Sequence, residues 1–210
     1  MPRIAKYDRQ IALGRAVDLF WERGYFATSM KQIEQALDMR PGSLYATFGS
    51  KDGLFQEALD VYASRMAEEL ASHLRPYSSL LSGLKDYLRK LALSYAAGSP
   101  TPARACMIIK TLLELSSREN ALQQQVNTIL EKIEYRFSAI IEEARNRGEI
   151  APDTDCRRLA RLLQAQIMGL RSFAQREVPA HQVEQLADDM AHILDRYALT
   201  EHSKTPRAVL

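Results

Sequence analysis

Residues 28–51 bring hydroxyl, guanidinium and ammonium groups together at a spacing that suits contact with nucleic acid. Thr28 and Ser29 can each cap a helix, and a hydroxyl beside the N–H groups of a helix N-terminus can bind a phosphate. Arg40 could donate two hydrogen bonds to guanine O6 and N7, or contact a phosphate, or lie solvated on the surface. The chemistry that these types and spacings favour is binding to DNA rather than catalysis.

Two short helices joined by a tight turn are predicted to position these groups. Ser29 and Gln32 have the spacing of a capping box, which marks the start of the first short helix. Asp38 suits the turn because aspartate tolerates the left-handed region, and Pro41 suits the first turn of the next helix. This is the layout of a helix-turn-helix, whose second helix enters the major groove.

A longer helix is predicted before this pair, behind a short basic arm. Gly24 is placed to end it, since glycine takes a left-handed conformation without a Cβ penalty. Arg3 and Lys6 in the arm could reach a minor groove, or form a tail without a role. The buried face of the long helix is predicted from residues at helical spacing, namely Ile11, Ala12, Ala16, Leu19 and Phe20.

Charge and composition permit DNA binding without proving it. The net charge is only +2 over 210 residues, but residues 1–51 carry eight basic side chains against five acidic ones. No N-terminal apolar run resembles a signal peptide, and no window is long and apolar enough to cross a membrane. We therefore expect a cytoplasmic protein with reduced thiols and no membrane partner.

Patterns for catalysis or metal binding are missing from the sequence. The two cysteines and four histidines lack metal-ligand spacing, and no nucleophile motif or phosphate-binding glycine loop is present. We therefore expect no enzyme activity, no cofactor and no metal. From Asp52 onward the helical periodicity continues with no strand alternation, which predicts an all-α fold. The predicted domains are a three-helix helix-turn-helix DNA-binding domain over 1–51, a helical-bundle effector-binding and dimerisation domain over 52–199, and a flexible tail over 200–210.

Residues 9–55 resemble the DNA-binding domain of tetracycline-repressor-like (TetR family) regulators. The resemblance implies a homodimer that binds a double-stranded operator with two inverted half-sites, usually as a repressor, and that a small molecule releases. The matching residues are Ile11, Ala16, Leu19, Phe20, Gly24, Thr28, Ser29, Ile33, Ala36, Gly42, Ser43, Leu44, Tyr45, Phe48, Ser50, Lys51, Leu54 and Phe55.

The resemblance also implies roles for particular side chains. Lys51 matches a family lysine that reaches a phosphate, and Tyr45 matches a tyrosine whose hydroxyl contacts the DNA backbone, with core packing as the alternative. Arg40 and Ala46 depart from the family pattern at positions that usually meet DNA. The residues expected at DNA are Arg3, Lys6, Thr28, Ser29, Arg40, Pro41, Gly42, Ser43, Tyr45, Thr47 and Lys51.

An effector pocket is expected within residues 80–175, although core packing is the alternative for each side chain in it. No charged cluster occurs there, which favours an apolar or aromatic ligand. The candidate lining residues are Tyr87, Tyr95, Cys106, Met107, Leu113, Tyr135, Phe137, Met168 and Phe173.

Two apolar stripes on the last two helices predict the dimer interface; a monomer that buries both stripes internally is the alternative. They comprise Leu159, Leu162, Leu163, Ile167, Leu170, Val183, Leu186, Met190, Ile193, Leu194 and Tyr197.

Three alternative functions remain open from the sequence. Cys106 could sense electrophiles or oxidants, because Arg104 and Lys110 lie near it and cationic neighbours favour the reactive thiolate. The alternative is that Cys106 is a small buried hydrophobic residue, which is the usual role of a free cysteine. The protein could also bind DNA without any ligand, or bind a small molecule with a vestigial DNA-binding head.

Overall fold

A computed structural model describes residues 8–94, 106–115, 121–176 and 178–199. These ranges are mostly helical. Their β-type pairing is limited to one isolated antiparallel bridge between Ile150 and Ala198. The predicted all-α fold is confirmed. The predictions for Arg3, Lys6, Tyr95 and the tail over 200–210 fall outside the described residues.

The helices follow one another with short connections. In chain order they are α1 (Arg9–Arg23), α2 (Met30–Leu37), α3 (Pro41–Phe48), α4 (Lys51–Leu74), α5 (Leu80–Leu93), α6 (Met107–Leu115), α7 (Ala121–Asn146), α8 (Cys156–Phe173) and α9 (Ala180–Ile193), with a 3-10 turn at Leu194–Tyr197.

Local sequence signals set the boundaries of the first helices. The Asp8 carboxylate accepts a hydrogen bond from the Gln10 N–H and caps α1. Ser29 and Gln32 form the predicted capping box at the start of α2. Asp38 ends α2 with a φ of 53°, which confirms the left-handed turn expected there.

The predicted buried face of α1 needs one correction. Ile11 is 56% exposed, so it does not belong to that face. The helix is rotated so that Leu13 and Val17 are buried together with Ala12, Ala16 and Phe20. Ile11 lies on one side of the buried face and Leu13 and Val17 on the other. Helical periodicity alone does not tell which of these apolar residues face the core.

Two compact units divide the chain. The first comprises Met1–Glu69 and Arg104–Glu131, so it contains α1 to α3, most of α4, α6 and the beginning of α7. Phe20 and Phe55 meet edge to face in its core, with ring centroids 4.8 Å apart. That residues 1–51 form the DNA-binding domain stays a prediction.

The second unit comprises Leu70–Ala103 and Lys132–Leu210. In this unit α5 packs along α9, and Arg89 forms an ion pair with Asp188 at 2.6 Å between the two helices. The Glu149 carboxylate caps the start of α5 by accepting hydrogen bonds from the Ser79 hydroxyl and the Leu81 N–H. Among the residues that the structure describes, no helix has the length and apolar character needed to cross a membrane.

Candidate DNA-binding interface

Helix α3 presents one face to the core and the other to solvent. Leu44 and Phe48 are buried and hold the helix in the first unit. Arg40 and Gly42 are exposed, and Tyr45 is 49% exposed. Core packing is therefore not the role of Tyr45, and its side chain is accessible to a ligand as large as DNA.

The N-terminus of α3 lacks a side-chain cap. Arg40 occupies the N-cap position but makes no capping hydrogen bond, and Pro41 starts the helix. Of the candidate polar residues farther along, Ser43 and Thr47 are half-buried, and the Thr47 hydroxyl donates to the Ser43 carbonyl at 2.8 Å. The exposed guanidinium and the N–H groups of the first turn together form a cationic end that favours a phosphate or a base edge.

Gly42 provides a test that separates folding from DNA contact. No atom lies within 4 Å of the position that a Cβ would occupy on Gly42. We expect Gly42→Ala to keep or raise the free energy of unfolding, by at most about 1 kcal/mol, because alanine favours helix. The same methyl group should weaken DNA binding if the backbone approaches DNA closely there. Thermal unfolding and DNA titration measure both effects, and unchanged affinity would place Gly42 away from the DNA.

The predicted phosphate contact of the Thr28 side chain is wrong for this structure. Thr28 is 1% exposed, and its hydroxyl donates to the Gly24 carbonyl at 2.6 Å. The hydroxyl therefore fixes the corner between α1 and α2. Ser29 is the actual N-cap of α2 and is exposed, so it keeps the position from which a helix N-terminus can meet a phosphate.

Lys51 lies at the start of α4 and is half-buried. Its ammonium nitrogen lies 4.3 Å from the centroid of the Tyr25 ring. Burial lowers the pKa of Lys51, while the carboxylates of Asp52 and Glu114 act in the opposite direction. The ammonium therefore belongs to a defined cluster rather than to a freely moving surface side chain.

The Tyr25 ring beneath Lys51 is held by several contacts. The Tyr25 hydroxyl donates to the Asp52 carboxylate, and the Tyr25 N–H donates to Glu114 Oε2 at 3.0 Å. Sequence reasoning missed all three of these residues. Tyr25 and Glu114 are 89 positions apart in the chain, so no local pattern could have linked them.

We expect the stability of the fold to respond to alkaline pH through the Tyr25 hydroxyl. Burial, followed by the hydrogen bond to Asp52 and its charge, raises the pKa of Tyr25 from 10.0 to about 12. Since the folded state holds this proton more tightly, the stabilising contribution is complete below pH 10.0 and is lost as the pH rises through about 12. Unfolding measured across that window should show a steeper loss of stability in the parent than in Tyr25→Phe. Equal slopes would contradict the raised pKa of Tyr25.

The described effector-pocket candidates are divided between the two units. Tyr87 and Phe137 are buried in the core of the second unit, where Met168 and Phe173 are half-buried; Cys106 and Met107 are buried in the first. Leu113 is 70% exposed and Tyr135 75% exposed, so neither lines an enclosed cavity.

A cleft of about 430 Å³ lies elsewhere in the second unit, and none of the pocket candidates lines it. The effector pocket stays a prediction.

The predicted dimer residues separate into two sets. Six of them are buried within the protomer, which corrects their assignment to a surface: Leu159, Leu163, Ile167, Leu170, Val183 and Leu194. Leu162 is 38% exposed, and four others are half-buried: Leu186, Met190, Ile193 and Tyr197. A partner can reach only this second set. The sequence stripes were wider than the accessible face because α8 and α9 also pack against their own core.

Cys106 is buried next to the first turn of α6. The nearby Lys110 ammonium donates to the Glu22 carbonyl at 3.0 Å. That hydrogen bond stabilises the end of α1, and the sensing role of Cys106 stays a prediction. Arg104 lies outside the described residues.

A tight turn, an exposed helix with a cationic start and a lysine at the beginning of the next helix are typical of DNA-binding regulators of the helix-turn-helix class. The family model described as "Bacterial regulatory proteins, tetR family" matches residues 12–58, and the one described as "Tetracyclin repressor-like, C-terminal domain" matches residues 85–192. The chain belongs to the TetR family of transcriptional regulators, and these are not enzymes.

Individual relatives agree with this assignment. The chain is 31% identical over 182 residues to the HTH-type transcriptional repressor ComR of Escherichia coli (strain K12), covering 86% of each chain. It is 26% identical to the uncharacterized HTH-type transcriptional regulator YezE of Bacillus subtilis (strain 168), covering 93% of this chain and 100% of that one. The structure of a cysteine mutant of the TetR family regulator CifR, complexed with 26bp operator DNA, matches with a TM-score of 0.79 at 29% identity, over 90% of this chain and 98% of that chain.

Proposed function

We propose that the protein is a homodimeric repressor that binds an inverted-repeat operator and is released by a small apolar or aromatic molecule. The exposed face of α3 next to Lys51 is the observation that carries this proposal. Arg40 and Tyr45 lie on that exposed side, and Leu44 and Phe48 fix the helix behind it. Base contacts from α3 set the sequence preference, and Lys51 and Ser29 set the position on the phosphates.

The accessible face of α8 supports the homodimer. Gly169 follows Leu162 by two helical turns and therefore lies on the same side of the helix. No atom lies within 4 Å of the position that a Cβ would occupy on Gly169, and glycine costs about 1 kcal/mol relative to alanine inside a helix. A second helix packed closely against this face would explain the glycine. A two-fold dimer then matches an operator with two inverted half-sites.

Repression is favoured over activation because ComR is named as a transcriptional repressor. Release follows from a population shift. An effector that binds the DNA-incompetent form more tightly draws the protein off the operator, by changing the spacing between the two recognition helices. A hundredfold loss of operator affinity requires about a hundredfold preference of the effector for that form.

The stoichiometry on DNA and the response to ligands test this proposal. Sedimentation of the protein with a duplex that carries its selected inverted repeat should give two protomers per duplex. Fluorescence anisotropy of the same complex should then fall when a releasing compound from an apolar and aromatic library is added. One protomer per duplex would contradict the dimer. A library without any releasing compound, together with an unchanged melting temperature, would favour ligand-independent DNA binding.

A further inference from the structure

We propose that Tyr25 is a positioning residue that holds the Lys51 ammonium ready for a DNA phosphate, and that Glu114 of α6 fixes Tyr25 in place. This inference rests on the proposed function, since it takes Lys51 as a phosphate contact. It adds to that function a residue outside the recognition helix that determines how well the lysine binds.

Lys51 is held against the face of the Tyr25 ring. Its ammonium lies 4.3 Å from the Tyr25 ring centroid, well within the range of a cation–π interaction. Among the described residues its ammonium forms no ion pair with a carboxylate. A carboxylate partner would compete with a phosphate for the N–H donors. An aromatic face orients the cation without occupying those donors, so the lysine loses less side-chain freedom when it binds DNA.

The Tyr25 side chain is itself fixed by two contacts. Its ring packs against Phe55, with centroids 4.8 Å apart, and its hydroxyl is bonded to Asp52. That bond also engages the carboxylate next to Lys51 in the chain. The Asp52 carboxylate is thus directed to the tyrosine hydroxyl, and the Lys51 ammonium is left with the ring.

The backbone of Tyr25 is held by a side chain of α6. Glu114 Oε2 accepts a hydrogen bond from the Tyr25 N–H at 3.0 Å, and Lys110, one turn earlier on α6, donates to the Glu22 carbonyl at 3.0 Å. Gly24 lies between these anchors with a φ of 85°. Two side chains of α6 therefore hold both sides of the segment that ends α1. The position of the Tyr25 ring under Lys51 depends on these two hydrogen bonds.

A double-mutant cycle in DNA affinity tests the coupling between Tyr25 and Lys51. The probe is a short duplex of random sequence at low salt, where phosphate contacts dominate. We expect Tyr25→Leu to weaken binding about three- to tenfold in the parent, because the lysine side chain must then be ordered on binding, and to have no effect in Lys51→Met. Tyr25→Phe keeps the ring but releases the Asp52 carboxylate, so its affinity should lie between those of the parent and of Tyr25→Leu.

The outcomes separate the inference from the function on which it rests. Equal losses for Tyr25→Leu in both backgrounds would show a purely structural role and overturn the inference. Normal binding by Lys51→Met would instead contradict the phosphate contact in the proposed function. A change in the salt dependence of binding identifies a lost phosphate contact, which general destabilisation does not produce.

A measurement on the unaltered fold avoids variants that fail to fold. The ε-methylene protons of Lys51, assigned by their absence in Lys51→Met, should resonate upfield of an ordinary lysine because the Tyr25 ring current shields them. Glu114→Gln should move these signals toward the ordinary position. Signals at the ordinary position in the parent would overturn the inference.

Discussion

Replacing Leu162 by arginine should convert the protein into a monomer and lower its affinity for a two-half-site operator by about a hundredfold or more. In a dimer, binding of one α3 helix to its half-site holds the other α3 helix at a high effective concentration near the second half-site. A monomer loses this gain in affinity. Leu162 is 38% exposed on α8, so a charged side chain there should cost little stability in the isolated protomer. Sedimentation and titration of the selected duplex measure the two effects.

Tyr135 provides the matched control for this experiment. It is 75% exposed in the same unit, but lies on α7 rather than on the predicted dimer face. Tyr135→Arg should leave both the mass of the assembly and the affinity for DNA unchanged. If Tyr135→Arg gave a monomer while Leu162→Arg stayed a dimer, the interface would lie on α7, which contradicts the predicted dimer face on α8.

Adding a methyl group at Gly24 should destabilise the protein by about 3 kcal/mol, which lowers the melting temperature by roughly 6–12 °C. Two effects combine here. Gly24 has φ 85° and ψ 170°, a region that is open essentially only to glycine. A Cβ would also lie 2.1 Å from Glu114 Oε1, so the carboxylate that holds the Tyr25 N–H would have to move away.

Gly148 shows what a positive φ costs when the added methyl group meets no neighbour. Its φ of 72° is also left-handed, but no atom lies within 4 Å of the position of its Cβ. Gly148→Ala should therefore cost only about 1 kcal/mol. In the Gly24→Ala background, Glu114→Ala should cost almost nothing further because the contact is already lost. Additive losses from the two substitutions would show that Glu114 keeps its place despite the methyl group.

The sequence was sufficient for features that depend on neighbouring residues. The capping box of Ser29 and Gln32, the left-handed Asp38 and Pro41 at the start of α3 each follow from backbone chemistry within a few positions. The all-α fold followed from periodicity in the same way. The resemblance over residues 9–55 added the family, which the matched family models confirm.

Features that depend on tertiary packing could not be predicted from neighbouring residues. Thr28 and Ser29 are both good capping residues, and only the packing of the corner decides that Thr28 is buried and Ser29 exposed. On α8 an apolar residue is equally compatible with the core and with a partner, so Leu163 and Leu162 look alike in the sequence. The contact of Glu114 with Tyr25 has no sequence signature, because a single carboxylate on a helix usually faces solvent.

Selection of DNA from a library of random duplexes by the purified protein tests the central claim most directly. The enriched sequences should contain an inverted repeat whose half-site centres are separated by about one helical turn of DNA or a multiple of it. That result would establish a two-fold dimer that reads a specific operator. A single enriched half-site, or no enrichment even at low salt, would contradict the account of α3 as the reading element of a homodimeric repressor.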